Sequence, residues 1–74
     1  MAKELIGTIK AEGMEGRTEL WAVEKGDNWQ IVVVTPNGDQ QETEFKAKSS
    51  IEALLVVCNQ WGTEEWDLRL ADEM

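Results

Sequence analysis

The hydrophobic pattern changes its period within residues 42–58, ETEFKAKSSIEALLVVC. Up to Ala47, polar and apolar residues alternate, which is typical of a strand. Ser49 and Glu52 then have the spacing of a capping box, in which each side chain satisfies a backbone amide at a helix start. Gly62 is a suitable end, so we predict a helix over residues 50–61. Its apolar stripe is predicted to contain Ile51, Leu54, Leu55, Cys58 and either Trp61 or Gly62.

Four segments before this helix follow the two-residue period of strands, namely residues 4–11, 17–24, 29–35 and 42–47. The third contains three consecutive Val residues, whose branched side chains favour extended backbone. Turn-forming Gly, Asn, Asp and Pro residues separate the segments, as expected for an antiparallel meander.

The C-terminal stretch is open to two interpretations. Residues 66–70 alternate cleanly, which favours a last short strand, whereas Thr63, Glu64 and Glu65 could equally cap a second short helix. We therefore predict one α+β domain over residues 1–74, in which three to five antiparallel strands pack against a single helix over residues 50–61.

Composition narrows the classes of function. The 74 residues carry 15 acidic and 7 basic side chains, a net charge of −8, with no His. Such a charge repels nucleic acid and anionic membrane surfaces, so we expect no direct binding to either. The longest apolar run, Ala53 to Cys58, is far shorter than the ~20 residues that span a bilayer.

The same features suggest a cytoplasmic protein. Cys58 is the one cysteine, so the chain has no internal disulfide, whereas secreted domains of this size usually need several. The first residues lead directly into a mixed segment, so we also expect no signal peptide.

The residue types do not favour catalysis. His, the commonest general base and metal ligand, is absent. Cys58 is expected in the core, and Ser49 is explained by helix capping. We therefore expect no catalytic residues, no cofactor and no metal site, and predict that the protein is not an enzyme.

Acidic residues are concentrated near the C-terminus. They can simply keep a small domain soluble, or they can dock into a basic protein groove and compete with nucleic acid there. In the second interpretation Trp66 is the apolar anchor, and reversing the charges of Glu12 and Glu15 in the first loop should weaken binding much less. The predicted partner-binding residues are Glu64, Glu65, Trp66, Asp67, Asp72 and Glu73, with Glu42 and Glu44 as a second acidic row.

The sheet is expected to have an apolar outer face. We predict that one set of side chains faces the helix: Trp21, Val23, Trp29, Ile31, Val33 and Phe45. Four others then face outward: Leu20, Ala22, Val32 and Val34. Either Trp66 and Leu68 cover this outer patch, or a partner or a second copy does. The alternative function is therefore a structural domain that forms a homodimer through Leu20, Val32 and Val34.

Small size, strong acidity, a short meander and one helix ending in Trp61-Gly62 together resemble small phage-encoded inhibitors, the anti-CRISPR proteins in particular. Those proteins are mostly non-enzymatic, act in the host cytoplasm and are often acidic where they occupy a nucleic-acid groove. The resemblance lies in the overall build. It implies an inhibitor that blocks a nucleic-acid-binding protein complex through an acidic surface.

Overall fold

Among the residues that the structure describes, five strands form one antiparallel sheet, and one helix packs on one of its faces. The computed structural model describes residues 2–71. The elements are β1 (Lys3–Ala11), β2 (Thr18–Lys25), β3 (Asn28–Val34), β4 (Gln40–Ala47), α1 (Ser50–Trp61) and β5 (Trp66–Leu70). The predicted α+β class is confirmed, and so is the strand interpretation of residues 66–70.

The strand order is β4-β3-β2-β1-β5, so the last strand lies at the opposite edge from β4. The first four strands form the expected meander, and α1 carries the chain back across the sheet. β5 then pairs antiparallel with β1, from Gly7 opposite Leu70 to Ala11 opposite Trp66. Gly7 permits this close pairing, because a Cβ atom there would lie 2.5 Å from the carbonyl oxygen of Arg69.

The predicted ends of the helix are confirmed. The Ser49 hydroxyl accepts a hydrogen bond from the backbone N–H of Glu52 at 3.1 Å, which satisfies one amide of the first turn. The N–H of Gly62 donates to the carbonyl of Cys58 and closes the last turn.

The buried face of α1 differs from the predicted stripe. Ala53 and Val57 are fully buried against the sheet, whereas Ile51 is 75% exposed and Leu55 is 59% exposed. Small side chains at the contact allow the helix to lie close to a sheet face that carries the larger Leu20 and Ile31. Residues 53–58 are all apolar, so the pattern alone does not select the buried side.

The prediction for the two faces of β2 is wrong. Leu20 and Ala22 are fully buried in the core beneath α1. The register explains why, because Leu20 pairs with Val33 and Ala22 pairs with Ile31, and cross-strand partners share a face.

The intervening residues Trp21 and Val23 therefore lie on the opposite face of the sheet. There they join Val32 and Val34, whose outward orientation agrees with the prediction.

A β-bulge in β1 brings two isoleucines into the same core. The register with β2 shifts between Leu5 and Gly7, so one extra residue is inserted at this point. Strict alternation would place Ile6 and Ile9 on opposite faces, yet both are buried in the cluster beneath α1.

Two leucines test this packing directly. Leu20→Ala should lower the free energy of unfolding by about 2–5 kcal/mol, because it leaves a cavity in the core. Leu55→Ala, the same change at an exposed helix position, should alter it by less than about 0.5 kcal/mol. Urea unfolding followed by circular dichroism measures both, and equal losses would contradict the observed orientation of β2 and α1.

Candidate functional site

The sheet face opposite α1, here called the open face, carries a contiguous apolar patch. The patch consists of Trp21, Val23, Val32 and Val34 on the two neighbouring strands β2 and β3. None of the four belongs to the core cluster beneath the helix, but none is fully exposed either: Val32 is 8% exposed, and Trp21, Val23 and Val34 are half-buried. Two shallow pockets on this face share Val23, Val32 and Gln40.

Within residues 2–71, the C-terminal segment does not cover this patch. β5 extends the sheet at its edge beside β1. Trp66 and Leu68 pack against the core on the helix side instead. The open face is thus left without the intramolecular cover that the sequence had suggested as one possibility.

Polar neighbours fix the position of the central aromatic ring. The ammonium group of Lys3 lies 5.1 Å from the centroid of the Trp21 ring, within range of a cation–π interaction. The indole N–H of Trp21 donates to a carboxylate oxygen of Glu19 at 3.2 Å. Lys25 and Glu42 form an ion pair at the margin of the patch.

β4 is irregular where it passes the patch. Its register with β3 shifts between Gln30 and Val32. The Gln30 side-chain amide donates to the carbonyl of Thr43 at 2.7 Å, and the Thr43 hydroxyl donates to the carbonyl of Ile31 at 2.7 Å. The predicted acidic row of Glu42 and Glu44 is therefore interrupted, since Glu44 lies within the irregular segment and Glu42 is paired with Lys25.

Arg17 ties the first strand to the last one on the open face. Its Nε donates to the Thr8 hydroxyl at 2.8 Å, and its Nη1 donates to the Asp67 carboxylate at 2.9 Å. The hydrogen bond from Arg17 and the positive charges of Arg17, Arg69 and Lys10 hold the pKa of Asp67 below its ordinary value of 3.8. Asp67 thus has a structural partner within its own chain.

The predicted acidic binding set does not form one surface. Trp66, its proposed anchor, is half-buried and packs against the core. Asp67 is held by Arg17, whereas Glu64 and Glu65 are exposed in the turn before β5. The predictions for Asp72 and Glu73 lie outside the described residues.

Glu64 and Glu65 instead belong to a larger acidic group that sequence reasoning missed. The pairing of Ala11 with Trp66 places the turn before β5 and the loop after β1 at the same end of the sheet. The turn between β3 and β4 lies there as well, because Gly16 approaches the Pro36 ring. We call the five exposed carboxylates of these loops the acidic end, namely Glu12, Glu15, Asp39, Glu64 and Glu65.

This arrangement changes one sequence-based expectation. Charge reversal at Glu12 and Glu15 is predicted from the sequence to weaken binding much less than reversal at the C-terminal acids, yet Glu12 and Glu15 share one end of the sheet with Glu64 and Glu65. The alternation of antiparallel strands indicates which turns share an end. The position of β5 beside β1 is the additional information that the sequence pattern lacks.

Comparison with known proteins does not add a function. The chain matches no protein-family model, and no curated protein or solved structure is significantly similar to it. Among residues 2–71, no helix combines the length and the apolar character that crossing a membrane requires.

The Arg17–Asp67 contact predicts a specific pH dependence. A lowered pKa means that the charged Asp67 carboxylate stabilises the fold above pH 3.8, and that this contribution is lost as the pH falls through the folded-state pKa. Asp67→Asn should therefore be less stable than the wild type at about pH 7, and the difference should be smaller at about pH 2.

Urea unfolding at both pH values measures this effect, with Asp39→Asn as the control at an exposed carboxylate. A deficit of Asp67→Asn that persists unchanged in acid would show that the carboxylate charge is not what Arg17 stabilises.

Proposed function

We propose that this protein is a non-enzymatic protein-interaction module that binds its partner through the open face. The observation that carries the proposal is the apolar patch around Trp21, which no described segment of the chain covers. A contiguous apolar patch that is half-buried within its own sheet face and covered by no other described element is typical of an interaction site, and Trp is enriched among the residues that dominate binding energy.

The residue types on this face support binding rather than catalysis. The two shallow pockets are lined by Trp, Val and Gln side chains, by Lys3 and by the Lys25–Glu42 ion pair. An apolar centre with polar groups at its margin is the usual composition of a protein-binding surface. A catalytic site would instead need a nucleophile or an acid–base pair in an enclosed position.

A second candidate function is the inhibitor suggested by the resemblance to anti-CRISPR proteins. The acidic end supports it, since its five exposed carboxylates lie in loops at the same end of the sheet, and Asp67 is not among them. Such a surface would pair with Lys and Arg residues that otherwise hold phosphates, so it would compete with nucleic acid for a basic groove.

One capture experiment separates the two surfaces. The wild type, Trp21→Ser and a Glu64→Lys/Glu65→Lys variant are immobilised in equal amounts and exposed to a lysate of the cells that express the protein. Leu55→Ser serves as the control, because it removes an apolar side chain that is 59% exposed on α1, on the other side of the molecule from the open face. Quantitative mass spectrometry compares the retained proteins, and circular dichroism verifies that each variant is folded.

The open-face proposal predicts a protein that the wild type and Leu55→Ser retain and Trp21→Ser loses. Loss in the Glu64→Lys/Glu65→Lys variant alone would favour the acidic end and the inhibitor. A stable dimer of the wild type in light scattering that Trp21→Ser abolishes would favour the homodimer alternative. Its interface would then include Val32 and Val34 but not Leu20, which is buried in the core. Identical sets of retained proteins from every variant would contradict both surface assignments.

A further inference from the structure

The two charge signs are segregated on this molecule. Six of the seven Lys and Arg side chains lie on the open face: Lys3, Lys10, Arg17, Lys25, Lys46 and Arg69. The register places three acids with them, Glu19, Glu42 and Asp67. Six positive and three negative charges give this face a net charge of +3, within a chain whose net charge is −8. Glu44, which has no partner in the register, would lower the value to +2 if it were included.

Three cations of the open face, Lys3, Lys25 and Lys46, lie at the end of the apolar patch that Val23 forms. Lys3 lies opposite Val23, Val23 lies opposite Gln30, and Gln30 lies opposite Lys46, so two lysines end one row that crosses four strands. Lys25 follows two residues after Val23 along β2. Among the described residues, Lys3 and Lys46 form no ion pair, so their charges are available to a bound partner.

We propose that the open face binds an acidic protein segment, one whose apolar side chains contact the patch and whose Asp or Glu residues meet Lys3 and Lys46. This inference rests on the proposed function and adds the chemistry of the partner. Charge complementarity carries it, because the positive face would attract acidic segments and the negative remainder of the molecule would repel them elsewhere.

The same charges disfavour a second copy as the occupant. Two open faces that meet around a two-fold axis would each bring a net charge of +3, so equal charges would oppose each other across the interface.

Single-stranded nucleic acid fits less well than an acidic protein segment. Protein surfaces that bind single-stranded nucleic acid present several aromatic rings on which bases stack, whereas the patch has one ring and three Val side chains. The acidic end, beside the same sheet, would also repel a continuous phosphate backbone.

Selection from a random peptide library displayed on phage tests the inference, because such a library offers acidic, basic and apolar segments to the open face at once. The baits are the wild type, Trp21→Ser and a Lys3→Gln/Lys46→Gln variant. The control Asn59→Asp/Gln60→Glu reaches the same net charge of −10 through two isosteric changes at exposed positions of α1. Enriched peptides are synthesised and titrated at low and high salt, and thermal unfolding verifies that all baits are folded.

We expect the enriched peptides to combine apolar residues with an excess of Asp and Glu, and to lose binding to Trp21→Ser. Lys3→Gln/Lys46→Gln should weaken their affinity about tenfold relative to the charge-matched control at low salt. This difference should shrink at about 1 M salt, where the Debye length is about 3 Å.

The other outcomes overturn the inference in distinguishable ways. Some peptides could need Trp21 but show no acidic excess, or bind the lysine variant and the control equally well. That outcome would agree with the interaction module and contradict the acidic partner. A selection that yields no Trp21-dependent peptide would contradict the proposed function itself. Tight binding of an oligo-dT probe, or a dimer that occupies the open face, would replace the acidic segment with another occupant.

Discussion

The backbone pairing of β2 with β3 is the constraint on which the other features of this structure depend. With Leu20 opposite Val33 and Ala22 opposite Ile31, these four side chains lie on the face that α1 covers. A register shifted by one residue on β2 would exchange its faces and place the Trp21 indole beneath the helix. Ala53 and Val57 would then have to accommodate a much larger side chain. The tight contact between α1 and the sheet thus requires this register.

The same pairing produces the chemistry of the open face. Because Leu20 and Ala22 lie in the core, Trp21 and Val23 lie on the opposite face of the sheet. Glu19 and Lys25 share that face with them. The bulge in β1 keeps Ile6 and Ile9 on the helix side while Lys3 and Thr8 remain on the open face. The apolar patch and the lysines beside it are consequences of strand register. They would not be present together on the open face if β2 were inverted.

The class of the fold could be predicted from the sequence, because the hydrophobic pattern changes clearly at Ser49 from the two-residue period of strands to the period of a helix. It could not predict the faces of β2 or α1. Residues 20–23 are all apolar, and so are residues 53–58, so each segment has two plausible buried sides and only tertiary pairing selects one. Only part of the acidic binding set could be predicted, again because tertiary contacts decide which of its residues are free to bind. Exposure of Glu64 and Glu65 agrees with the prediction, but the Arg17–Asp67 contact joins residues that are 50 positions apart. No local pattern indicates such a contact.

The orientation of β2 is the central claim, and nuclear Overhauser effects measure it directly. A spectrum of the protein with labelled Val, Leu and Ala methyl groups reports which methyl groups lie near each side chain. The structure predicts contacts from the Trp21 indole protons to the methyl groups of Val32 and Val34, and from the Leu20 methyl groups to those of Ala53 or Val57. Contacts from Trp21 to Val57, together with contacts from Leu20 to Val32, would show that β2 is inverted and would contradict the account of both faces.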